Sequence, residues 1–115
     1  RGADGLYIYG MLFGDKLMGV NRHQDYAYIG YAVPNNLHWL DVKKMRDAGF
    51  RIIRSAHYPQ APVFMDACDE LGMFIIVATP GWQYWNPEPV FEERILSDIR
   101  NMVRRDRNHP SVLLW

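Results

Sequence analysis

The stretch that decides the fold is "FRIIRSAHYPQAPVFMDACDELGMFIIVA", Phe50 to Ala78. It opens on a short apolar run rich in β-branched residues, continues with apolar residues at helical spacing, and closes on a second apolar run. A strand, a helix and a second strand in this order are typical of a parallel βαβ unit. Gly72, between the helix and the last run, suits the left-handed residue with which helices often end.

The same alternation continues on both sides of this stretch. Predicted strands cover 16–21, 50–54, 73–78 and 111–115, and predicted helices lie within 35–49, 61–72 and 86–108. Asn36 and Asn86 are the expected N-caps of the first and third helices, and Gly49 is the expected left-handed residue after the first helix. Residues 6–14 are interpreted as a β-hairpin or lead-in strand.

Strands that are apolar on both faces indicate a parallel sheet covered on both sides. A doubly wound nucleotide-binding fold would carry a glycine-rich turn after a strand, and the turns "NRHQDY", "RSAHYP" and "TPGWQYW" contain no such motif. We therefore predict an α/β fold that is the first half of a (β/α)8 TIM barrel, preceded by a short β lead-in. Because such a barrel needs about 250 residues, we expect 1–115 to be a partial barrel domain from a longer chain.

Composition excludes several classes of partner. The 115 residues include 13 Lys plus Arg and 13 Asp plus Glu, so no net positive charge favours nucleic acid. No apolar run approaches the roughly 20 residues of a membrane span, so no membrane partner is predicted. Cys68 is the single cysteine, which excludes an internal disulfide, and its helical apolar pattern predicts a buried thiol.

Polar and aromatic side chains lie at the ends of the first three predicted strands. In chain order they are Asn21, Arg22 and His23, then Arg54, Ser55, His57 and Tyr58, then Thr79, Trp82, Tyr84 and Trp85. The carboxyl ends of parallel strands share one face, where ligands bind in α/β folds. The pattern favours a polar, aromatic-lined pocket. The alternative is a structural network, with Arg54 paired to a core carboxylate and the histidines bonded to loops.

Three motifs in this order and at these separations resemble glycoside hydrolase family 2, which includes β-galactosidases, β-glucuronidases and β-mannosidases. They are "GVNRHQDY" (19–26), "IRSAHYP" (53–59) and "RDRNHPSVLLW" (105–115). The resemblance implies a retaining, exo-acting enzyme that hydrolyses terminal β-glycosidic bonds, with a β-galactoside as first choice and a β-glucuronide or β-mannoside as alternatives. It also implies the remainder of the barrel and flanking β-sandwich domains in the same chain.

The resemblance assigns roles at the strand ends. His23 and His57 would bond to sugar hydroxyls, and Arg54 would contact the nucleophile carboxylate and keep it ionised. Asn21, Trp82 and Trp85 complete the expected substrate-binding set.

The resemblance places neither catalytic carboxylate in this chain. The acid/base Glu is expected just after Trp115 and the nucleophile Glu on a later strand, so the chain alone is predicted to be inactive.

The loop after the third strand departs from the family pattern. Many family β-galactosidases carry an acidic segment with Mg²⁺ ligands there, whereas "FIIVATPGWQYWN" (74–86) has no carboxylate and no histidine. We therefore predict no such metal site and no cofactor. Gln24 is a second departure, because relatives often have Glu there. Two other functions stay open: a non-catalytic carbohydrate-binding or scaffold protein on a degenerate barrel, and an α/β enzyme unrelated to sugars. The sequence leaves the oligomeric state open.

Overall fold

The structure, a computed structural model, describes residues 17–115. Its elements are β1 (Gly19–Arg22), α1 (Asn35–Asp47), β2 (Ile52–Ser55), α2 (Pro62–Leu71), β3 (Phe74–Ile76), α3 (Pro89–Asp106) and β4 (Val112–Leu114). The strands form one sheet in the order β1-β2-β3-β4, and every neighbouring pair is parallel. The predicted fold class is confirmed, because parallel strands alternating with helices are the arrangement of the first half of a (β/α)8 barrel. The predicted lead-in at 6–14 lies outside the described residues.

The two faces of the sheet have different partners. On β2, Ile53 and Ser55 are fully buried towards the helices, while Ile52 and Arg54 are half-buried on the opposite face. One apolar core fills the space between sheet and helices; it contains Val42, Ile53, Phe64, Met65, Ala67, Cys68, Met73, Ile75, Val77, Met102 and Val112. Successive residues of a strand point to opposite faces, so the alternation places the Arg54 side chain away from this core.

The helix C-termini are as predicted. Gly49 and Gly72 have φ angles of +93° and +68°, in the left-handed region that glycine adopts without steric cost. After α1, the N–H of Phe50 donates to the carbonyl of Met45 at 3.1 Å, and after α2 the N–H of Gly72 donates to the carbonyl of Cys68. Both bonds satisfy carbonyl groups that the helix end would leave free.

The predicted N-caps are wrong, because neither asparagine occupies the position before its helix. The residue that precedes α1 is Pro34, whose carbonyl accepts from the N–H of Leu37 at 3.0 Å. The residue that precedes α3 is Glu88, which stays extended because Pro89 follows it and disfavours the helical conformation one residue earlier. Asn86 instead accepts from the N–H of Glu88 at 2.9 Å, so its side chain shapes the turn before the helix.

Cys68 is buried in the core, as predicted. Burial raises the pKa of its thiol to about 12, and the nearby Asp69 carboxylate acts in the same direction. The thiol therefore stays protonated at neutral pH and is not a nucleophile. Within residues 17–115, no helix combines the length and the apolar character needed to cross a membrane.

Gly19 is paired with Ile52 in the register of β1 and β2. A Cβ atom at this position would lie 2.7 Å from the carbonyl oxygen of Ile52 and would also meet the Ile52 side chain. Because backbone cannot move aside as a flexible side chain can, we expect Gly19→Ala to lower the free energy of unfolding by about 2 kcal/mol. Urea unfolding of the purified protein checks this. The neighbouring exposed Met18, changed to alanine, should have an effect within about 0.5 kcal/mol.

Candidate functional site

Three aromatic rings from three strand ends form a row at the C-terminal edge of the sheet. The centroid of the His23 ring, after β1, lies 5.3 Å from that of His57, after β2, with an interplanar angle of 88°. The His57 ring in turn lies 5.6 Å from the Trp82 ring, after β3, at 66°. These edge-to-face distances lie in the range in which aromatic pairs attract each other. The parallel topology thus brings together residues that are 59 positions apart in the sequence.

Arg54 lies beside this row. Its Nη1 is 3.2 Å from Nδ1 of His57, and its guanidinium carbon is 5.9 Å from the centre of the Trp82 ring. In the part of the chain that the structure describes, no carboxylate lies within 4.0 Å of Arg54. The alternative of an ion pair with a core carboxylate therefore finds no partner in residues 17–115. The guanidinium is a half-buried cation on the concave face of the sheet.

The contact with Arg54 fixes how His57 carries its proton. A guanidinium has only donors, so His57 must accept this hydrogen bond at Nδ1. The neutral ring then carries its proton on Nε2, which presents an N–H donor. An N–H donor at Nε2 suits a hydroxyl or carbonyl oxygen of a ligand. The peptide bond between Ala56 and His57 is cis.

Asn21 shares the concave face with Arg54. The two residues are directly paired in the β1–β2 register, and both line a concavity of about 280 Å³. The Asn21 residue is exposed, so its amide is open to a ligand on this side. Asn21 and Arg54 thus form one layer of polar groups.

A second concavity of about 270 Å³ adjoins Arg54 on the β3 side. Its lining comprises Arg54, Ile76, Val77, Ala78, Thr79, Trp82 and Trp115. It combines a cation, an indole face and aliphatic side chains, a composition that suits a small ligand with apolar and polar edges.

The structure separates the two tryptophans of the predicted binding set. Trp82 touches the site through His57 and is 54% exposed. Trp85 is 82% exposed, and within residues 17–115 no aromatic contact joins it to His57. Neither indole belongs to the apolar core that residues 17–115 form. Of the two, only Trp82 therefore belongs to the aromatic row.

No metal centre is assembled in the part of the chain that the structure describes: residues 17–115 contain no cluster of three or more His, Cys, Asp or Glu side chains suited to an ion. Within the same residues, no salt bridge joins a carboxylate to His23, His57 or Arg54. The chemistry available here is hydrogen bonding, positive charge and stacking.

A buried polar network, not recognised from the sequence, surrounds Arg22 at the end of β1. Arg22 is 5% exposed and donates to Asp41 Oδ2 at 2.7 Å, to His38 Nδ1 at 3.1 Å and to Gln60 Oε1. Its guanidinium also lies 4.4 Å from the centre of the Phe64 ring. The alternation of side chains along β1 is the sequence feature that could have indicated this network, because Arg22 must point to the core if Asn21 points away from it.

His38 in this network is buried and neutral. Burial lowers its pKa below the usual 6.5, and the Arg22 guanidinium lowers it further, against a smaller opposite effect of Asp41. Because the unfolded chain binds a proton below pH 6.5 that the folded chain does not, stability is complete above that pH and falls as the pH drops beneath it. Urea unfolding at about pH 7.5 and about pH 5.5 should show this loss. In His38→Gln the loss of stability between the two pH values should be smaller than in the wild type. An equal loss would show that His38 does not cause it.

Comparison with known proteins now adds to this geometry. Residues 11–115 match the family described as "Glycosyl hydrolases family 2, TIM barrel domain". The chain is 41% identical over 114 residues to a β-galactosidase of Thermoanaerobacterium thermosulfurigenes, covering 97% of this chain and 15% of that protein. A crystal structure of Bacteroides uniformis β-glucuronidase is similar with a TM-score of 0.82 and 35% identity, covering 87% of this chain and 12% of that one.

A crystal structure of a β-glycosidase from Bacteroides vulgatus has a TM-score of 0.76 and 33% identity, over 87% of this chain and 14% of that one. The chain thus spans about one seventh of the length of the relatives it matches. The match to the family covers nearly all of the sequence, including the three strand ends that carry the aromatic row. The chain belongs to glycoside hydrolase family 2, within its TIM-barrel domain.

Proposed function

We propose that the intact protein is a retaining, exo-acting glycoside hydrolase that cleaves terminal β-glycosidic bonds, with β-galactosides as its substrates. The observation that carries this proposal is the row of His23, His57 and Trp82 with Arg54 beside it. Hydrogen-bond donors, a cation and an indole face are the groups that recognise a sugar: hydroxyls on its edge, developing charge at its reacting carbon, and the apolar face of its ring.

Each group has a definite part in the proposed reaction. The Nε2–H of His57 donates to a hydroxyl of the terminal sugar, and His23 binds the same sugar from the β1 side. Trp82 stacks on the sugar ring, while Asn21 and Trp85 extend the contact surface. Arg54 faces the nucleophile carboxylate supplied by a later part of the barrel and keeps it ionised. Both catalytic glutamates, about 5 Å apart in a retaining enzyme, lie outside this chain.

The choice of a β-galactoside is supported by the name of the relative that is 41% identical. β-Glucuronides are the second candidate, since a solved structure with a TM-score of 0.82 is described as a β-glucuronidase. β-Mannosides are the third candidate. The non-hydrolytic alternative is a carbohydrate-binding protein that uses the same row without the two glutamates.

The test is an assay of the full-length protein with 4-nitrophenyl β-galactoside, β-glucuronide and β-mannoside. Hydrolysis of the galactoside, with the β-anomer as the first product in proton NMR, is the expected result. Binding of galactose without hydrolysis of any of the three substrates would favour the carbohydrate-binding alternative. The 115-residue chain alone should be inactive on all of them.

The loop after β3 makes a further prediction about metal dependence. Because 74–86 contains no carboxylate and no histidine, this segment offers Mg²⁺ no charged oxygen ligand of the kind that usually binds it in proteins. We therefore expect the full-length enzyme to keep its galactosidase kcat after treatment with EDTA and removal of the chelator. A loss of kcat that returns only on addition of Mg²⁺ would contradict this expectation.

A further inference from the structure

The segment that follows His57 is held by hydrogen bonds from three other parts of the chain. Gln60 is 1% exposed and all of its polar side-chain atoms are used. Its Oε1 accepts from Arg22 Nη1, its Nε2 donates to the carbonyl of Tyr58 at 3.2 Å, and its own carbonyl accepts from Arg105 Nη2 at 2.9 Å. Guanidinium groups from β1 and from α3 therefore meet at one neutral amide residue.

Both of these cations are themselves fixed. Arg22 is bonded to Asp41, so its position does not depend on Gln60 alone. Arg105 makes two hydrogen bonds to the fully buried Asp106, at 2.6 and 2.7 Å. Paired carboxylates orient the planar guanidinium fork in a defined direction. Gln60 is thus held between two rigid donors.

Gln24, in the loop after β1, forms hydrogen bonds with the same segment. Gln24 Oε1 accepts from the N–H of Ala61 at 2.7 Å, and the N–H of Gln24 donates to the Tyr58 hydroxyl at 2.8 Å. Burial raises the pKa of that hydroxyl above its usual value, so it stays protonated at neutral pH. The residues from Tyr58 to Ala61 are therefore tied to β1, to the loop after β1 and to α3. His57 is the next residue towards the N-terminus.

We propose that Gln60 is a positioning residue, which sets the direction of the His57 Nε2–H by joining Arg22 to Arg105 across the segment that follows His57. The inference rests on the proposed function, since it assumes that His57 binds the sugar. A displacement of about 1 Å at such a group can lower the rate about a hundredfold, so a rigid support has a measurable effect. Gln60 itself touches no substrate in this proposal.

The experiment is a double-mutant cycle in the full-length enzyme. Gln60→Met keeps the length and bulk of the side chain but removes its hydrogen bonds to Arg22 and Tyr58. We expect it to lower kcat/KM at least about tenfold when His57 is present, and less than about twofold in the His57→Ala background. Gln60→Glu keeps an acceptor for Arg22 and should lower kcat/KM less than Gln60→Met does. Equal losses in both backgrounds would overturn the proposal.

Asp69→Asn is the matched control. Asp69 accepts from His109 Nδ1 at 2.6 Å and from the N–H of Ser111 at 3.0 Å, at the opposite end of the sheet. This variant should lower stability while leaving kcat/KM unchanged in both backgrounds, because its contacts do not reach His57. A loss of kcat/KM in Asp69→Asn equal to that in Gln60→Met would show that general destabilisation explains both, and would overturn the positioning role.

A second measurement separates this proposal from the proposed function. Hydrogen exchange of the full-length protein, read by mass spectrometry, should be faster in peptides from 56–61 of Gln60→Met than in the wild type, with other peptides unchanged. If the wild type hydrolyses none of the glycosides, the proposed function fails, and exchange alone decides whether Gln60 holds the segment. Unchanged exchange at 56–61 would overturn the proposal whatever the activity.

Discussion

Changing Arg54 to alanine in the full-length protein is expected to lower kcat for a β-galactoside by about 10²–10³-fold, with a smaller change in KM. Arg54 is half-buried on the concave face and has no carboxylate partner within residues 17–115. In the proposed reaction its charge keeps the nucleophile ionised and its Nη1–H holds the His57 ring. Both effects are lost in alanine.

Steady-state kinetics of three variants give the test. Arg54→Lys keeps the charge but loses the planar fork, so its kcat should lie between those of the wild type and of Arg54→Ala. Arg51→Ala is the control, because Arg51 lies just before the same strand and is exposed; its kcat should not change. A normal kcat in Arg54→Ala would remove Arg54 from the mechanism.

Arg22→Met is expected to lower the free energy of unfolding by about 3 kcal/mol or more, the largest loss of stability that we predict. The methionine fills similar space, but the Asp41 carboxylate, which is 20% exposed, then has no cation beside it. Gln60 Oε1 also loses its donor in a buried position. Leaving a partly buried charge and a buried acceptor unpaired costs more than the lost contacts themselves.

An exposed ion pair provides the comparison. Lys43 and Asp47 form an i,i+4 pair on α1, with side chains 46% and 58% exposed. Lys43→Met should lower the free energy of unfolding by only about 0.5 kcal/mol or less. Urea unfolding of both variants of the purified protein measures the difference. Similar values for Arg22→Met and Lys43→Met would mean that burial of Arg22 does not matter for stability.

The fold was predictable because its signals are local. Apolar runs of strand length alternate with helical periodicity, and parallel topology then requires the strand ends to meet. This argument alone places His23, His57 and Trp82 at one edge, where the structure shows them in contact. Their individual roles in catalysis stay predictions.

The network behind the site was not predictable, because its members are distant in sequence and their partners have no motif. Arg22 bonds to residues that are 16, 19 and 38 positions away. Strand alternation could have placed Arg22 on the core side, but only packing shows that Gln60 and Asp41 come within reach. The misplaced N-cap of α3 has a different cause: the effect of Pro89 on the residue before it outweighed the capping preference of asparagine.

The alternation of faces along β1 and β2 has a consequence for engineering. Asn21 and Arg54 point to the concave side, whereas Arg22 and Ser55, one residue further along, point into the helix layer. A library that randomises Asn21 and Thr79 would change the lining of the two concavities without touching the buried network. A deletion of one residue in β1 before Asn21 would disrupt that network, because it would move Arg22 to the concave face and Asn21 into the core. The concave face should therefore change by substitution within these strands, and length changes should be tolerated only in the loops beyond them.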